Sequence, residues 1–506
     1  MRKIYRVHKN SPSCILLSVT IISGFFLFKS EQIAHAKASQ DSAFMQALSE
    51  NNISLQSDEY ASNFGQGWYI CANDQPHCSM WNARKVVNID PYKNIQFQVG
   101  NLQLKFPKGR PTLTSQDGRF SLSLGMMMHF DVGGFVGKDV QHGSNMSNHR
   151  SYLRRGRFII SARYDDFIVT VSPDAGEFYQ NTYSLHDAYI RYVGFKNTVL
   201  GVGLIQPGSS MEDSESSNSY EFIERPMVID MVRNISGGEP RVALEGIHWG
   251  ERYYVGAYVT GQRLGENFRD FQKNQVGGLL RAAFRPVATA DVDVHLGFSG
   301  AFAFHGNNRR YSMGSGPEAQ IWLSRNYIRT GMIDGVDSVW TLGPEVGLRW
   351  KRLVFQSEYY QINLQRVKDG NTSRPNLSFP GWYMSTSYTI FGQPRQYDQK
   401  TASFRTPQGS LFNPAAGSWG ALEWVSRWSV MDLNSHLNSY TRNGQFLGSY
   451  GGKQNIWSTG FNWYPSSHMR IMLDYNHIRA SSSLNNPHNM YGRNSNLLIS
   501  RLQFTF

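Results

Sequence analysis

Asp291-Val292-Asp293-Val294-His295-Leu296-Gly297-Phe298-Ser299-Gly300-Ala301-Phe302-Ala303-Phe304 alternates along its length. Val292, Val294, Leu296, Phe298, Phe302 and Phe304 share one face of an extended chain, and Asp291, Asp293, His295, Ser299 and Ala303 share the other. Residues two apart point the same way in a strand, so the segment has one oily and one polar surface. A single strand of this kind also suits a soluble sandwich. From Arg119 onward, however, such segments of about ten residues follow one another to the end of the chain, many with aromatic ends, as in strands with lipid on one face and water on the other.

Two further segments orient the wall. In 119–132, Phe120, Leu122, Leu124, Met126, Met128 and Phe130 oppose Ser121, Ser123, His129 and Asp131. In 152–164, Phe158, Ile160, Ala162 and Tyr164 oppose Arg155, Arg157, Ser161 and Arg163. Three guanidinium groups in one lipid-facing row would be prohibitive near the bilayer centre, so that row faces water. The same test puts Asp187, Arg191, Arg281, Glu345, Arg349, Glu423 and Arg427 inside.

Connections alternate between very short turns, after Tyr164, Gly194, Trp249, Lys351 and Tyr464, and long polar loops at 133–151, 207–239, 305–338, 368–379 and 435–453. That rhythm is expected of a transmembrane antiparallel β-barrel with short periplasmic turns and longer outer loops. The segmentation yields sixteen strands between 119 and 506, an even number that lets the last strand return beside the first. One connection, 393–418, is long where a short turn is expected, and we read it as a folded periplasmic excursion. The state of 221–232, helix or strand, is open at this stage.

Ahead of the barrel, Arg2, Lys3, Arg6 and Lys9 precede the 15-residue apolar run Cys14 to Phe28, followed by Ala34-His35-Ala36. The expectation is a secretory signal peptide over 1–36, because a spanning helix needs about 20 apolar residues. Residues 37–118 are expected to form a periplasmic extension, with a short helix around Phe44, Met45 and Leu48 and a strand over 95–106. Without the signal, 45 basic and 37 acidic residues remain, a net charge of +8 with no consecutive basic block. Nucleic acid is therefore not an expected partner. Cys71 and Cys78 read as a disulfide in an oxidising compartment; a metal site using His77 lacks a fourth ligand, so no metal or cofactor is expected.

Several segments resemble the phosphate-selective porin O and P family. They are Asp117-Gly118-Arg119-Phe120-Ser121-Leu122, Leu153-Arg154-Arg155-Gly156-Arg157, His186-Asp187-Ala188-Tyr189-Ile190, Gly201-Val202-Gly203-Leu204 followed by Pro207, Phe222-Ile223-Glu224-Arg225-Pro226, Gly420-Ala421-Leu422-Glu423-Trp424 with Arg427, and Asn462-Trp463-Tyr464. The resemblance covers about 100–506. It implies a sixteen-stranded outer-membrane porin, usually a homotrimer among lipid and lipopolysaccharide, with its third outer loop folded inward and basic side chains that bind anions.

On this chain the inward loop is 207–239, and the anion-binding candidates are Arg155, Arg157, Arg163, Arg191, Arg281, Arg349 and Arg427 on the wall with Arg225 and Arg233 on the loop. That loop also carries Glu212, Asp213, Glu215, Glu221, Glu224 and Asp230, so its acids outnumber its arginines. The expected function is passive diffusion of small hydrophilic solutes with a modest anion, including phosphate, preference. An outer-membrane barrel enzyme is the alternative from another class, but His186 and Asp187, adjacent on a strand, point to opposite faces. A structural or adhesive barrel with a plugged lumen is the other alternative.

Overall fold

β-Branched and aromatic residues spaced two apart satisfy their backbone by pairing with a neighbour, and every strand edge in lipid must be paired. The computed structural model describes residues 102–136, 149–176, 184–236, 241–263, 276–304, 309–319, 327–367, 373–481 and 494–506. It also describes the backbone of the short strands Ser13–Leu17, Ile53–Gln56, Trp68–Ala72 and Phe97–Val99. Two compact units result, Met1–Leu124 and Gly125–Phe506.

In the first unit, Trp68–Ala72 is the central strand of a three-stranded sheet and pairs with both Ser13–Leu17 and Ile53–Gln56. The single strand expected over 95–106 is instead a hairpin, Phe97–Val99 against Leu102–Lys105, because Gly100-Asn101 is a turn-forming pair. Leu102–Lys105 then pairs with Thr112–Ser115. The expected disulfide and the expected helix near Phe44 fall outside the described side chains.

The barrel strands, numbered here along the chain, are β1 Phe120–Val136, β2 His149–Tyr164, β3 Phe167–Asp174, β4 Ser184–Tyr192, β5 Thr198–Ile205 and β6 Arg241–Trp249. They continue with β7 Tyr253–Arg263, β8 Val276–Ala288, β9 Val292–Phe304, β10 Val336–Trp350 and β11 Leu353–Arg366. The last five are β12 Leu377–Phe391, β13 Ala421–Ser435, β14 Ser449–Ser466, β15 Met469–Ala480 and β16 Asn494–Thr505. All sixteen pair antiparallel with their neighbours in sequence order, and β16 returns to β1 to close the barrel. At the seam Arg501 is opposite Asp131, and Met126 and Phe506 exchange two backbone hydrogen bonds of 3.1 Å.

The two faces separate as alternation requires. In β9, Asp293, His295, Ser299 and Ala303 are buried inside while Leu296, Phe298 and Phe304 are exposed on the outer surface. Alternation is broken locally on β2, where the adjacent Arg154 and Arg155 are both buried.

The lumen is partly filled. Between β5 and β6 the chain forms two helices, α1 Met211–Ser214 and α2 Met227–Ser236. The undecided 221–232 is therefore an irregular stretch running into α2. Met227, Val228, Ile229, Met231, Val232 and Ile235 pack against inward residues of β8 to β13, including Leu279, Ala301, Ile362, Phe379 and Met431. Burial of each such side chain contributes about 1.5–3 kcal/mol. Gly381 leaves room for this packing, since a Cβ there would lie 2.7 Å from Val228 Cγ2 and 2.5 Å from Met431 Sδ.

Segment 393–418 differs from the excursion expected of it. Its residues 394–405 turn back among the inward side chains. Arg395, Ala402 and Phe404 are fully buried, and Phe404 packs with Met211 and Val354. The loop between β9 and β10 also reaches inside, where Glu318 accepts from the Met227 N–H at 2.7 Å.

Candidate functional site

With α2 packed on β8 to β13, open space remains on the opposite side. A cavity of about 830 Å³ is bounded by the inner faces of β2 to β7 on one side and by residues of 206–234, 314–319 and Lys400-Thr401 on the other. Seven basic and seven acidic side chains line it, so selectivity depends on which charges are already neutralised.

Most of the arginines are neutralised. Arg154 donates to Glu224 at 2.8 Å, and Arg501 joins Asp131 at 2.6 Å and Glu224 at 3.0 Å. Arg157 is 2.5 Å from Asp174. Arg191 forms a two-bond pair with Glu245, at 2.6 and 2.9 Å, and its guanidinium stacks 4.0 Å from the Tyr189 ring centroid. Arg233 and Arg225 both meet Asp213 Oδ1, at 2.8 and 3.1 Å, although the Arg225 Nε–H is not aligned for a hydrogen bond.

Arg155 differs from all of these. Its guanidinium contacts His129 Nδ1 at 3.3 Å, and no described carboxylate pairs with it. His129 Nε2 is 2.9 Å from Asn218 Oδ1. An amide oxygen only accepts, so Nε2 carries the proton and Nδ1 accepts from Arg155. The histidine is therefore neutral, and the Arg155 charge stays uncompensated while the side chain is only 5% exposed.

The sequence candidates thus divide. Arg155, Arg157, Arg191, Arg225 and Arg233 line the open cavity. Arg281, Arg349 and Arg427 face inward but lie outside its lining, each paired with a carboxylate: Arg281 with Glu345 at 2.9 Å and with the Thr401 and Ala402 carbonyls, Arg349 with Asp293 at 2.6 Å, and Arg427 with Glu318 at 2.7 Å. Arg163 sits at the β2–β3 turn, half exposed and 3.6 Å from Asp166. Of the three arginines on the inner row of β2, Arg157 and Arg163 take their partners from β3 and its turn, Asp174 and Asp166, and Arg155 has no carboxylate partner among the described residues.

Arg154, Arg395 and Glu318 are structurally central and were missed. The inner row read from alternation, Arg155, Arg157 and Arg163, does not include Arg154. A signal existed: two adjacent arginines in a lipid-spanning strand cannot take opposite faces without placing one in lipid, so they demand a local irregularity.

The inward segment is held by both charge and backbone bonds. Burial would raise the Glu224 carboxyl, but Arg154 and Arg501 outweigh it and hold the group at about 2. The same opposition, with Arg233 and Arg225 prevailing, holds Asp213 below the usual carboxylate range. Wall arginines also grip main-chain carbonyls, Arg470 that of Tyr220 at 2.6 Å and Arg501 that of Ile223 at 2.7 Å.

A sixteen-stranded barrel with charged residues inside is compatible with several outer-membrane families, and sequence comparison decides among them. The sequence model described as phosphate-selective porin O and P matches residues 122–506. The chain belongs to this family. Porin O of Pseudomonas aeruginosa is 22% identical over 429 residues, covering 79% of this chain and 91% of the relative.

Among solved structures, this porin is similar to OmpT of Vibrio cholerae in its trimer form, at TM-score 0.46 and 8% identity over 76% of this chain and 99% of the other. An anion-selective porin from Comamonas acidovorans gives TM-score 0.46 and 9% identity over 76% and 100% of the two chains. The outer membrane channel DcaP of Acinetobacter baumannii gives 0.44 and 12% over 78% and 99%. Membership of the porin family makes the protein an outer-membrane porin, and its sixteen strands span the bilayer.

Proposed function

We propose that the porin is a passive channel for small hydrophilic solutes, mainly through the space between β2–β7 and the inward segment, with a modest anion preference and no tight phosphate block. The observation that carries the reading is the pairing of the arginines. Of nine candidates, eight have a carboxylate within ion-pair distance, Arg225 and Arg233 sharing Asp213, and Arg155 is the one of the nine with none among the described residues. An arginine committed to a carboxylate has few donors left for the two-bond grip that tight phosphate binding needs. One buried unpaired guanidinium still raises the local anion concentration in a narrow lumen.

The outward apolar rows are suited to lipid and lipopolysaccharide, and membership of the family supports a homotrimer. Purified protein in a planar bilayer tests the reading. Stepwise conductance with a reversal potential slightly on the anion side is expected. A lumen that conducts nothing would favour the plugged structural barrel, and chloride current abolished by micromolar phosphate would restore the family's specialised selectivity.

A further inference from the structure

The inward segment carries a second charge arrangement, reaching from Glu215 at the cavity lining to the wall of β11 and β13. Glu215 and Glu221 each bury both carboxylate oxygens without a hydrogen-bond partner, and Glu212 buries one more. The wall beneath them is acidic too. Glu358 on β11 accepts from the Glu212 N–H at 2.9 Å and from Tyr360 and Tyr383 at 2.8 Å each. Glu423 on β13 accepts from Arg395 at 2.6 Å, Tyr464 at 3.1 Å and Asn462 at 3.3 Å.

Cations nearby are already engaged. The short bonds of Arg395 go to Glu423, and it reaches Glu221 only at 4.0 Å. Arg427 is held by Glu318 and Arg225 by Asp213, while Arg470 is spent on the Tyr220 and Glu221 carbonyls. Arg281 is paired with Glu345 and touches the segment through Ser214 Oγ at 2.9 Å. From β15, Asp474 adds a further carboxylate, accepting from the Ile223 N–H.

Five buried carboxylates, those of Glu212, Glu215, Glu221, Glu358 and Glu423, therefore share essentially one guanidinium, with Glu215 at the edge of the cavity. Carboxylates in such a setting do not all ionise. Among the described residues no three acidic or histidine side chains are grouped to hold a metal ion, so charge relief falls to protons.

We infer that the inward segment is a proton-dependent latch, packed on the wall while Glu212 and Glu215 retain protons beside the buried Glu221 and Glu358 carboxylates, and loosened as that pair ionises. The inference rests on the channel reading. Burial first, then the neighbouring acids, pushes Glu212 up to about 7 despite Arg427, and Glu215 well above the carboxylate range.

The direction follows from proton counting. Undocked, Glu212 and Glu215 lose protons near the ordinary value of about 4.3; docked, Glu212 keeps its proton to about 7 and Glu215 well above the usual range. The docked state binds more protons in that window, so its stability falls as pH rises through it. Asp230, raised by burial to about 6, acts in the same sense. Glu224, held at about 2, has the opposite sign, but its contribution is full above about pH 4.3 and is lost only on further acidification.

Single-channel conductance of the full mature porin in potassium chloride, scanned from about pH 5 to about pH 9, tests the latch. Wild type is expected to gain conductance with pH. Glu215→Gln should reduce the gain, and Glu212→Gln with Glu215→Gln should abolish it and hold the acid-side conductance. A wild-type channel with flat conductance over that range overturns the latch without touching the channel reading, as does a folded double variant that keeps the wild-type rise. Protein that conducts at no pH overturns both.

Discussion

Arg155 and Arg281 carry the same charge on the same inner wall, and their surroundings give them opposite roles. Arg155 faces a neutral histidine, so Arg155→Gln removes a charge that nothing balances. We expect a folded, open channel whose reversal potential in a salt gradient moves toward cation selectivity; an unmoved potential would take Arg155 out of the selectivity argument. Arg281 is locked to Glu345, which is 1% exposed and otherwise touched by His295 at 3.3 Å. Arg281→Gln strands a buried carboxylate, and loss of one partner of such a pair costs about 3–5 kcal/mol. Denaturant unfolding in detergent should show that loss for Arg281→Gln and little change for Arg155→Gln. Sequence alone placed both arginines inside, because an outward guanidinium would meet lipid. It could not separate them, since the partners Asp174, Glu245, Glu345 and Asp213 come from other strands or from the loop, and alternation says nothing about what lies across a gap.

At the scale of elements, all sixteen strands were readable from period-two alternation and turn rhythm, with boundaries off by a few residues. What escaped was the filling. On β11 and β12, inward Ile362, Leu364, Leu377 and Phe379 are apolar because α2 lies on them, not water. Their outward neighbours Gln361, Asn363, Gln365 and Ser378 are polar, so at this end of the strands alternation alone points the wrong face at the lumen. Residues 394–405 escaped for a similar reason: a long connection between strands gives no hint of whether it projects outward or folds back. Gly381 offers a test of the α2 berth. A valine there would press into Val228 and Met431, displacing α2 while leaving the β12 backbone pairing intact. Gly381→Val is expected to fold as a heat-modifiable barrel with raised single-channel conductance, because the displaced helix no longer fills that half of the lumen. A variant with wild-type conductance would mean that α2 is not what restricts flow.

For the molecule as a whole, everything depends on closure, since a sheet edge left open in lipid exposes rows of unsatisfied N–H and C=O groups. Closure is made at one place, the β16–β1 seam, where Leu502 opposes Phe130, Arg501 is bound to Asp131, and Met126 and Phe506 bond reciprocally. Phe506 also packs edge-on against Phe504, 5.9 Å between ring centroids, at the end of the outward row. The seam joins residues some 370 apart in sequence, as the Arg501–Asp131 bond does, so it is among the costliest contacts to form and the last that local structure can supply. Deleting Phe506 removes two backbone hydrogen bonds and an aromatic contact from the seam's end. It leaves the Met126 N–H and C=O without partners in a setting where water substitutes poorly. The expected result is a lower yield of the heat-modifiable folded form, with the fraction that does fold conducting like wild type because no lumen residue has changed. Phe506→Ala keeps the main-chain bonds and removes only the ring, so it should fall between the two. Normal folded yield for the deletion would show that the seam closes without its last residue; equal loss in both variants would assign the effect to the ring rather than to backbone closure.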